Sequence, residues 1–298
     1  MATTVKQSFS EFLSNLEISD RQVEKVSNCH NNVVKTIESV LTLNSGGKSR
    51  LIGSYDRKTL TRYLSEGDVD VMVVLHYGNN KDLVDGFGSP ARTLDKFKKI
   101  LSDEYPKTVM RRDRNCVTMQ LSEFSLDVVP AVKYDSGNYR IPDSVDNKWI
   151  DTNPAKFADL ITSINKNTNS MVVPVIKMLK RWNKNNGDVL SGYHIECLVY
   201  KHYKGYTQGY TYDSTLKVFF EKLPSYLREY CYDPITGVQI DTYLDNNASY
   251  TLRDSVISKA ESAKTSSSSA YDSSENGYIQ SSIEEWKSLF GEFFPNYG

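Results

Sequence analysis

The spacing of apolar residues predicts two helices at the start of the chain. Residues 5–17 and 20–43 carry apolar side chains at helical intervals, as with Val26, Val33 and Ile37 in the second segment. The sequence NSGGK at 44–48 then breaks this period. Beyond this point the apolar runs are short. They predict a strand at 50–53, a helix at 54–63, a buried strand at 69–76 and a helix at 89–103. Extended segments are predicted at 107–112, 115–121 and 124–132.

The helical period returns beyond about residue 150, over 153–165, 171–186, 191–204 and 212–230. The serine-rich segment 262–277 has the composition of a linker. It is either a loop or the polar part of a final pair of helices, and we favour the helices because a packed helix follows it. These patterns predict a bilobal α+β protein, with a mixed-sheet core over residues 1–150 and a helical lobe over residues 151–298.

The composition is ordinary for a globular protein. Of 298 residues, 39% are hydrophobic and 24% are charged, and the formal net charge of −1 gives no argument for bulk nucleic-acid binding. The four cysteines are too far apart for a zinc site and too few for a disulfide framework, so we expect reduced thiols. We find neither a signal peptide nor an apolar run of membrane-spanning length, so we expect a cytoplasmic protein.

Two carboxylates stand at the head of a continuous apolar strand. Asp68 and Asp70 precede the run from Val71 to Leu75, and side chains at positions i and i+2 of a strand point to the same face. Asp127 is a lone charge in another apolar strand, FSLDVVPAV. Because an unpaired buried charge costs several kcal/mol, a cation is the simplest partner. Carboxylate oxygens favour Mg²⁺ or Mn²⁺ over zinc, so the three aspartates predict a site for two such ions.

A glycine–serine pair lies shortly before these carboxylates. Gly53 and Ser54 end a predicted strand and open a predicted helix, where backbone N–H groups and a hydroxyl can contact phosphate oxygens. Carboxylate-held metals facing a phosphate-binding turn indicate nucleotidyl transfer. Each feature alone is common, and a D-x-D sequence can be a simple turn and strand cap. The combination with a third isolated aspartate is much more specific.

The motifs resemble those of the polymerase-β-like nucleotidyltransferase superfamily and, within it, the CD-NTases, bacterial relatives of cyclic GMP–AMP synthase. The block GSYDRKTLTRYLSEGDVDVMVVL is similar to their Gly-Ser and D-x-D block, although relatives often have glycine at the position of Lys58. LDVVPAV resembles their third-carboxylate strand, and VIKMLKRWN and SGYHIECLVY resemble two helices of their substrate-binding lobe. WKSLFGEFFP is similar to the usual ending of these relatives. The resemblance covers roughly residues 40–295 and implies a fold like that of oligoadenylate synthase and poly(A) polymerase.

The resemblance also implies roles for individual residues. Asp68 and Asp70 would coordinate both metal ions, and Asp127 would bind one ion and help to activate the attacking hydroxyl. Gly53 and Ser54 would hold the triphosphate of the donor nucleotide.

Three further residues match nucleotide-binding positions of the relatives. Lys177 would contact the phosphates, the Ser191 hydroxyl would touch phosphate, and the Tyr193 ring would stack on a base. Alternatively, Lys177 is a solvated helix lysine and Tyr193 a core aromatic residue. His194 and Glu196 are expected to be structural.

The implied activity is the joining of NTPs into a cyclic di- or trinucleotide with release of pyrophosphate. The expected substrates are ATP and, in addition, GTP, UTP or CTP, and the sequence does not specify which of these are used. The resemblance implies a role in anti-phage (CBASS) signalling with a separate nucleotide-activated effector, and the lack of clustered Cys and His residues argues against zinc-mediated DNA sensing. The segment RRDR at 111–114 is either a nucleotide-facing basic patch or an exposed turn.

Three other functions remain open. The chain could extend RNA or make linear oligoadenylates without a template, or it could transfer a nucleotide to a protein or a small molecule. A nucleotide-binding regulator without catalysis is the third, but such a protein would not need all three aspartates.

Overall fold

The computed structural model describes residues 2–62, 64, 67–134, 137–207, 210–245 and 251–298. The chain divides into two compact units. Residues 18–156 form the first, here called the sheet unit, and residues 1–17 with 157–298 form the second, here called the helical unit. The predicted boundary at residue 150 lies close to this division, but the first 17 residues belong with the helices instead of the sheet.

The sheet unit contains all seven strands of the described residues and four helices. Its elements are α2 (Asp20–Glu38), β1 (Ser49–Ile52), α3 (Gly53–Asp56), β2 (Asp68–Leu75), α4 (Lys81–Val84), α5 (Ser89–Glu104), β3 (Val109–Arg112), β4 (Val117–Gln120), β5 (Ser125–Lys133), β6 (Tyr139–Asp143) and β7 (Lys148–Thr152). The strand order is β1-β2-β5-β4-β3, with β6 pairing to β5 and β7 to β6. Strands β2 and β5 run parallel, whereas the other pairs are antiparallel.

The two faces of strand β2 have different neighbours. Val71, Val73 and Leu75 point into a core that includes side chains of α2 and α5, such as Val33 and Phe97. The opposite face carries Met72 and Val74, which pack in a separate small cluster with Ala131 of β5. Because side chains alternate along a strand, Asp68 and Asp70 share the face of this small cluster and point away from the helix-covered core.

The helical unit contains the remaining helices of the described chain. They are α1 (Val5–Leu16), α6 (Pro154–Asn167), which begins at the boundary, α7 (Val172–Asn185), α8 (Gly192–Tyr203), α9 (Tyr212–Arg228), α10 (Thr251–Glu275) and α11 (Ile279–Phe290). A mixed sheet followed by a helical region confirms the predicted α+β class.

Aromatic packing explains why α1 belongs to the helical unit. The Phe9 ring lies 5.2 Å from that of Trp286 and 5.1 Å from that of Phe294, and the Phe12 ring lies 4.8 Å from that of Phe290. All five side chains are almost completely buried. The amphipathic period of α1 was visible in the sequence, but its partners, more than 270 residues away, were not.

The serine-rich segment is helical, as we favoured. Residues 262–277 fall mostly within α10, which packs against α9 and α11. Between residues 260 and 270 its buried face consists of small side chains at helical spacing, namely Ala260, Ala263, Ser267 and Ala270. Small residues allow neighbouring helices to approach closely, and Ser282 of α11 donates a hydrogen bond to the Ala270 carbonyl at 2.6 Å.

Several predicted elements differ from the observed ones. Helix α2 ends at Glu38 and not at residue 43, and the predicted helix at 54–63 is only the single turn α3. Lys58 shortly after this turn has φ 60°, a left-handed conformation that continues no helix and favours glycine. The hairpin of β6 and β7 was missed, because no strand was predicted beyond residue 132.

Two further observations concern the cysteines and the character of the helices. All four cysteines are free thiols, and Cys116, Cys197 and Cys231 are buried. Within the described ranges, none of the helices combines the length and the apolar character that crossing a membrane requires.

Candidate active site

The parallel pairing of β2 and β5 places the aspartates together. Asp70 lies directly opposite Asp127 in the register of the two strands, and Asp68 lies two residues before Asp70 on the same face. Neighbouring strands are about 4.8 Å apart, so the carboxylates of Asp70 and Asp127 start from adjacent backbone positions. Both residues are half-buried, and Asp68 is more exposed. Three carboxylates thus share one face of two adjacent strands.

Gly53 lies in direct contact with this acidic group. Ile52 pairs with Asp70, so the chain leaves β1 beside the carboxylate. Gly53 has φ 67°, and a Cβ atom added there would lie 2.0 Å from Oδ2 of Asp70. Only glycine fits, both because of the left-handed backbone and because the carboxylate occupies the space of a side chain.

Short-range contacts fix the turn that carries Ser54. The Ser54 carbonyl accepts hydrogen bonds from the N–H groups of Thr59 at 2.9 Å and Leu60 at 3.1 Å. Arg50 of β1 forms an ion pair with Asp56 at 2.7 Å across the same turn. The half-buried Ser54 is therefore held next to Gly53 at the edge of the acidic group.

Sequence reasoning missed two residues that surround Asp127. Thr118 of β4 pairs with Asp127, and its hydroxyl lies 2.6 Å from Oδ1 of Asp127 and 3.0 Å from Oδ2 of Asp113. A hydroxyl has one proton and can donate to only one of these oxygens at a time. Thr118 therefore links the Asp127 carboxylate to a fourth acid. Two features of the sequence could have indicated these residues. Thr118 is a polar residue inside the apolar run CVTM, and Asp113 is an acid inside the basic segment RRDR.

The electrostatics of the group follow from this crowding of acids. Partial burial and the negative charge of Asp127 raise the pKa of Asp68, and Asp113 adds to the effect. A hydrogen bond from Ser125 and the charge of Arg111 act in the opposite direction. The charges of two acids raise the pKa of Asp68 and that of one arginine lowers it, so a bound cation would relieve the repulsion.

The residues fit a divalent metal in their chemistry. Their donors are carboxylate oxygens, the ligands that Mg²⁺ and Mn²⁺ prefer, and Gly53 leaves the backbone close to them. Among the described residues, however, no three His, Cys, Asp or Glu side chains converge into a formed metal cluster.

The basic segment RRDR does not form a basic patch. Arg112 pairs with Asp95 at 2.9 Å. Arg114 holds the buried Asp143 through two hydrogen bonds at 2.7 and 3.0 Å, which lower the pKa of that carboxyl against the effect of burial. Two of the three arginines thus neutralise acids of the protein itself, and the alternative of an exposed turn describes the segment better.

Lys177 lies in the helical unit and is not the solvated lysine that we considered. Its side chain is 5% exposed, and Nζ donates to the Glu17 carboxylate at 2.5 Å. A buried ammonium requires a negative partner, and here the C-terminal end of α1 supplies it.

Ser191 and Tyr193 lie at the start of α8 in the same unit. The exposed Ser191 caps this helix, since its hydroxyl accepts the His194 N–H at 3.2 Å. Tyr193 is half-buried, its hydroxyl donates to Asp233 at 2.9 Å, and its ring meets Phe157 edge-on at 5.0 Å. The Tyr193 ring is thus partly engaged in packing.

The neighbouring His194 and Glu196 have the structural surroundings that we expected. His194 is buried against Tyr243, whose hydroxyl lies 2.9 Å from Nδ1, and burial lowers the pKa of His194 to about 4. Glu196 is completely buried and forms an ion pair with Lys180 at 2.7 Å.

Comparisons with known proteins show which family this chain resembles. Residues 3–165 match the Second Messenger Oligonucleotide or Dinucleotide Synthetase domain. The chain is 31% identical over 221 residues to a cyclic AMP-AMP-AMP synthase of Acinetobacter sp., covering 70% of this chain and 61% of that relative. It is 26% identical to a probable cyclic nucleotide synthase of Bacillus cereus, covering 100% of this chain and 99% of the other.

Solved structures show the same fold. A mutant di-nucleotide cyclase of Vibrio cholerae, solved in complex with ATP and GTP, superposes with a TM-score of 0.72. The identity is 14%, and the superposition covers 99% of this chain and 98% of the other. At this identity, the similarity concerns the fold.

Proposed function

This chain belongs to the family of Second Messenger Oligonucleotide or Dinucleotide Synthetases, and we propose that it joins NTPs into a cyclic di- or trinucleotide and releases pyrophosphate. The membership confirms the CD-NTase resemblance and the class of metal-dependent nucleotidyltransferases. The observation that carries the proposal is the register of Asp70 with Asp127, with Gly53 packed against the Asp70 carboxylate.

Asp68, Asp70 and Asp127 would hold two Mg²⁺ or Mn²⁺ ions. When bound, such ions lower the pKa of a hydroxyl and stabilise negative charge on phosphate oxygens. In the reaction, a ribose hydroxyl oxygen bonds to the α-phosphorus of an NTP, and the bond from this phosphorus to the pyrophosphate oxygen breaks. We assign Asp127 to the removal of the hydroxyl proton. One transfer for a dinucleotide, or two for a trinucleotide, give the linear intermediate, and a last transfer within this intermediate closes the ring; each transfer releases one pyrophosphate.

Gly53 and Ser54 would hold the triphosphate beside the carboxylates. Their position supports this role, because the glycine lets the chain approach Asp70 without a side chain in between. Three roles are assigned by similarity to the relatives. Lys177 would bind the phosphates, Ser191 would contact a phosphate, and Tyr193 would stack on a base. Lys177 is a buried cation that pairs with a carboxylate. A phosphate is also an oxygen anion, so the same ammonium group can bind it.

We propose ATP as a substrate, with a cyclic trinucleotide of adenylate as the first product to test. The 31% identical relative is named a cyclic AMP-AMP-AMP synthase, and this supports the choice. GTP, UTP and CTP remain alternatives. We place the enzyme in the cytoplasm, in anti-phage signalling with a separate nucleotide-activated effector and without zinc-mediated DNA sensing. Extension of RNA and modification of proteins are not favoured.

The test is product formation by the purified protein with each combination of labelled NTPs and Mg²⁺ or Mn²⁺. Phosphatase-resistant products are then identified by mass. Asp70→Asn should lower turnover more than about a hundredfold, because it removes a metal ligand. Asp82→Asn, at an exposed acid of the sheet unit, is the matched control and should leave turnover unchanged. Full turnover by Asp70→Asn, or only linear products from wild type, would contradict the proposal.

A further inference from the structure

A cleft opens at the opposite end of the two strands that carry the aspartates. Strands β2 and β5 continue from Asp70 and Asp127 for five residues to the paired Leu75 and Val132. At about 3.3 Å per residue, this end is roughly 16 Å from the acidic group. The cleft has a volume of about 360 Å³, and the residues that line it, all in the sheet unit and all described, are Tyr77, Val84, Asp85, Val132, Lys133, Tyr134, Arg140 and Trp149.

Hydrogen bonds hold two of the aromatic side chains of this cleft in place. The Trp149 indole N–H donates to the buried Ser89 hydroxyl at 2.9 Å. The Tyr77 hydroxyl donates to the Asp85 carboxylate at 3.0 Å. Because their orientations are already fixed, a flat ligand would lose little free energy in ordering them. This cleft is therefore prepared for an aromatic molecule.

The same cleft carries two cations near its aromatic rings. The Arg140 guanidinium lies 4.3 Å from the centre of the Tyr134 ring, and its Nε donates to Asp151 at 2.8 Å. Its side chain is 47% exposed. Lys133, next to Tyr134 in the chain, is exposed as well. Arginine and lysine placed beside aromatic rings recognise phosphate attached to a flat group.

We propose that this cleft, here called the strand-end cleft, binds a nucleoside monophosphate. The base packs against Trp149 and Tyr77, and the phosphate binds Arg140 and Lys133. The volume is at the lower end of the range for small-molecule sites and suits one nucleotide, whereas a peptide segment or a lipid chain would need a longer groove. Asp85 can accept a hydrogen bond from an amino group of the base. The proposal does not depend on the catalytic activity, since the cleft and the aspartates are at opposite strand ends.

The test is titration of the intact protein with AMP and GMP in the presence of EDTA, which disables metal-dependent binding at the aspartates. Tryptophan fluorescence reports on the cleft, because Trp182 and Trp286 are buried and Trp149 is the accessible indole. Calorimetry measures the affinity. We expect quenching and saturable binding by at least one nucleotide, with inorganic phosphate at least about tenfold weaker because it lacks a base.

Variants separate the cleft from the catalytic end. Arg140→Gln removes a phosphate contact from an exposed side chain and should weaken binding about tenfold or more. Trp149→Leu should weaken it similarly, with a thermal melt to verify folding, and Ser54→Ala should bind as wild type does. The proposal is overturned if neither nucleotide binds at millimolar concentration, or if phosphate binds as tightly as AMP and GMP. Loss of binding in Ser54→Ala together with retention in Arg140→Gln would also overturn it.

Discussion

Replacing Gly53 by alanine tests the close approach of backbone and carboxylate at the candidate site. The added Cβ would lie 2.0 Å from Oδ2 of Asp70, whereas such contacts essentially never fall below 3.0 Å. The two groups must therefore separate by about 1 Å. A displacement of this size at reacting groups can cost about a hundredfold in rate. We expect turnover to fall by about that factor.

The backbone adds a separate cost in stability. Gly53 has φ 67°, and an L-residue in the left-handed region costs about 1–2 kcal/mol. Gly88 offers a matched control, because it has φ 74° in the same unit and a Cβ atom there would meet nothing within 4 Å. Gly88→Ala should lose a similar 1–2 kcal/mol and keep its turnover. The difference between the two variants isolates the clash with Asp70.

Product formation is followed by mass at saturating NTP, and stability is measured by urea unfolding. Titration with Mn²⁺ adds a measurement independent of turnover, and we expect weaker binding in Gly53→Ala only. Wild-type turnover in Gly53→Ala would refute the reasoning, because the carboxylate would then tolerate the displacement. An equal loss of turnover in Gly88→Ala would show that lower stability, and not the clash, causes the effect.

Three further predictions concern other contacts. Thr118→Val removes the hydrogen-bond donor to Asp127 and should weaken Mn²⁺ binding about tenfold in calorimetry. Thr118→Ser keeps the hydroxyl and should bind Mn²⁺ as wild type does. Equal Mn²⁺ binding by wild type and both variants would refute this prediction. Lys177→Met should raise the KM for ATP about tenfold, because it removes a cation from the phosphates. Glu17→Gln removes the carboxylate that competes for this lysine and should not raise the KM. An unchanged KM in Lys177→Met would show that the lysine does not bind the phosphates. His194 has a pKa of about 4 when folded and about 6.5 when unfolded, so the unfolded state binds the proton first as pH falls. This proton binding by the unfolded state lowers the free energy of unfolding by about 2 kcal/mol from pH 7 to pH 5, as measured by urea unfolding. The dependence on pH should be weaker in His194→Gln, and an unchanged dependence would show that His194 contributes only through packing.

Local patterns in the sequence determined much of this protein. Alternation along a strand is a property of neighbouring residues, so the common face of Asp68 and Asp70 followed from their spacing alone. The helical period likewise predicted the helices of the C-terminal half, and the flanking packed segment favoured a helix for residues 262–277. Gly53 and Ser54 stood out because a strand that ends in Gly-Ser and opens a helix offers backbone N–H groups and a hydroxyl to phosphate oxygens.

The tertiary structure decided which distant segments meet. The register of Asp70 with Asp127 depends on β5 pairing in parallel with β2, and nothing local to either strand specifies that partner. The same holds for the Thr118 contact with Asp127 and for the pairing of Lys177 with Glu17 across 160 positions of the chain. Such contacts depend on how whole helices and strands pack together. The periodicity of apolar residues shows only which face of each element is buried, and not which other element covers that face.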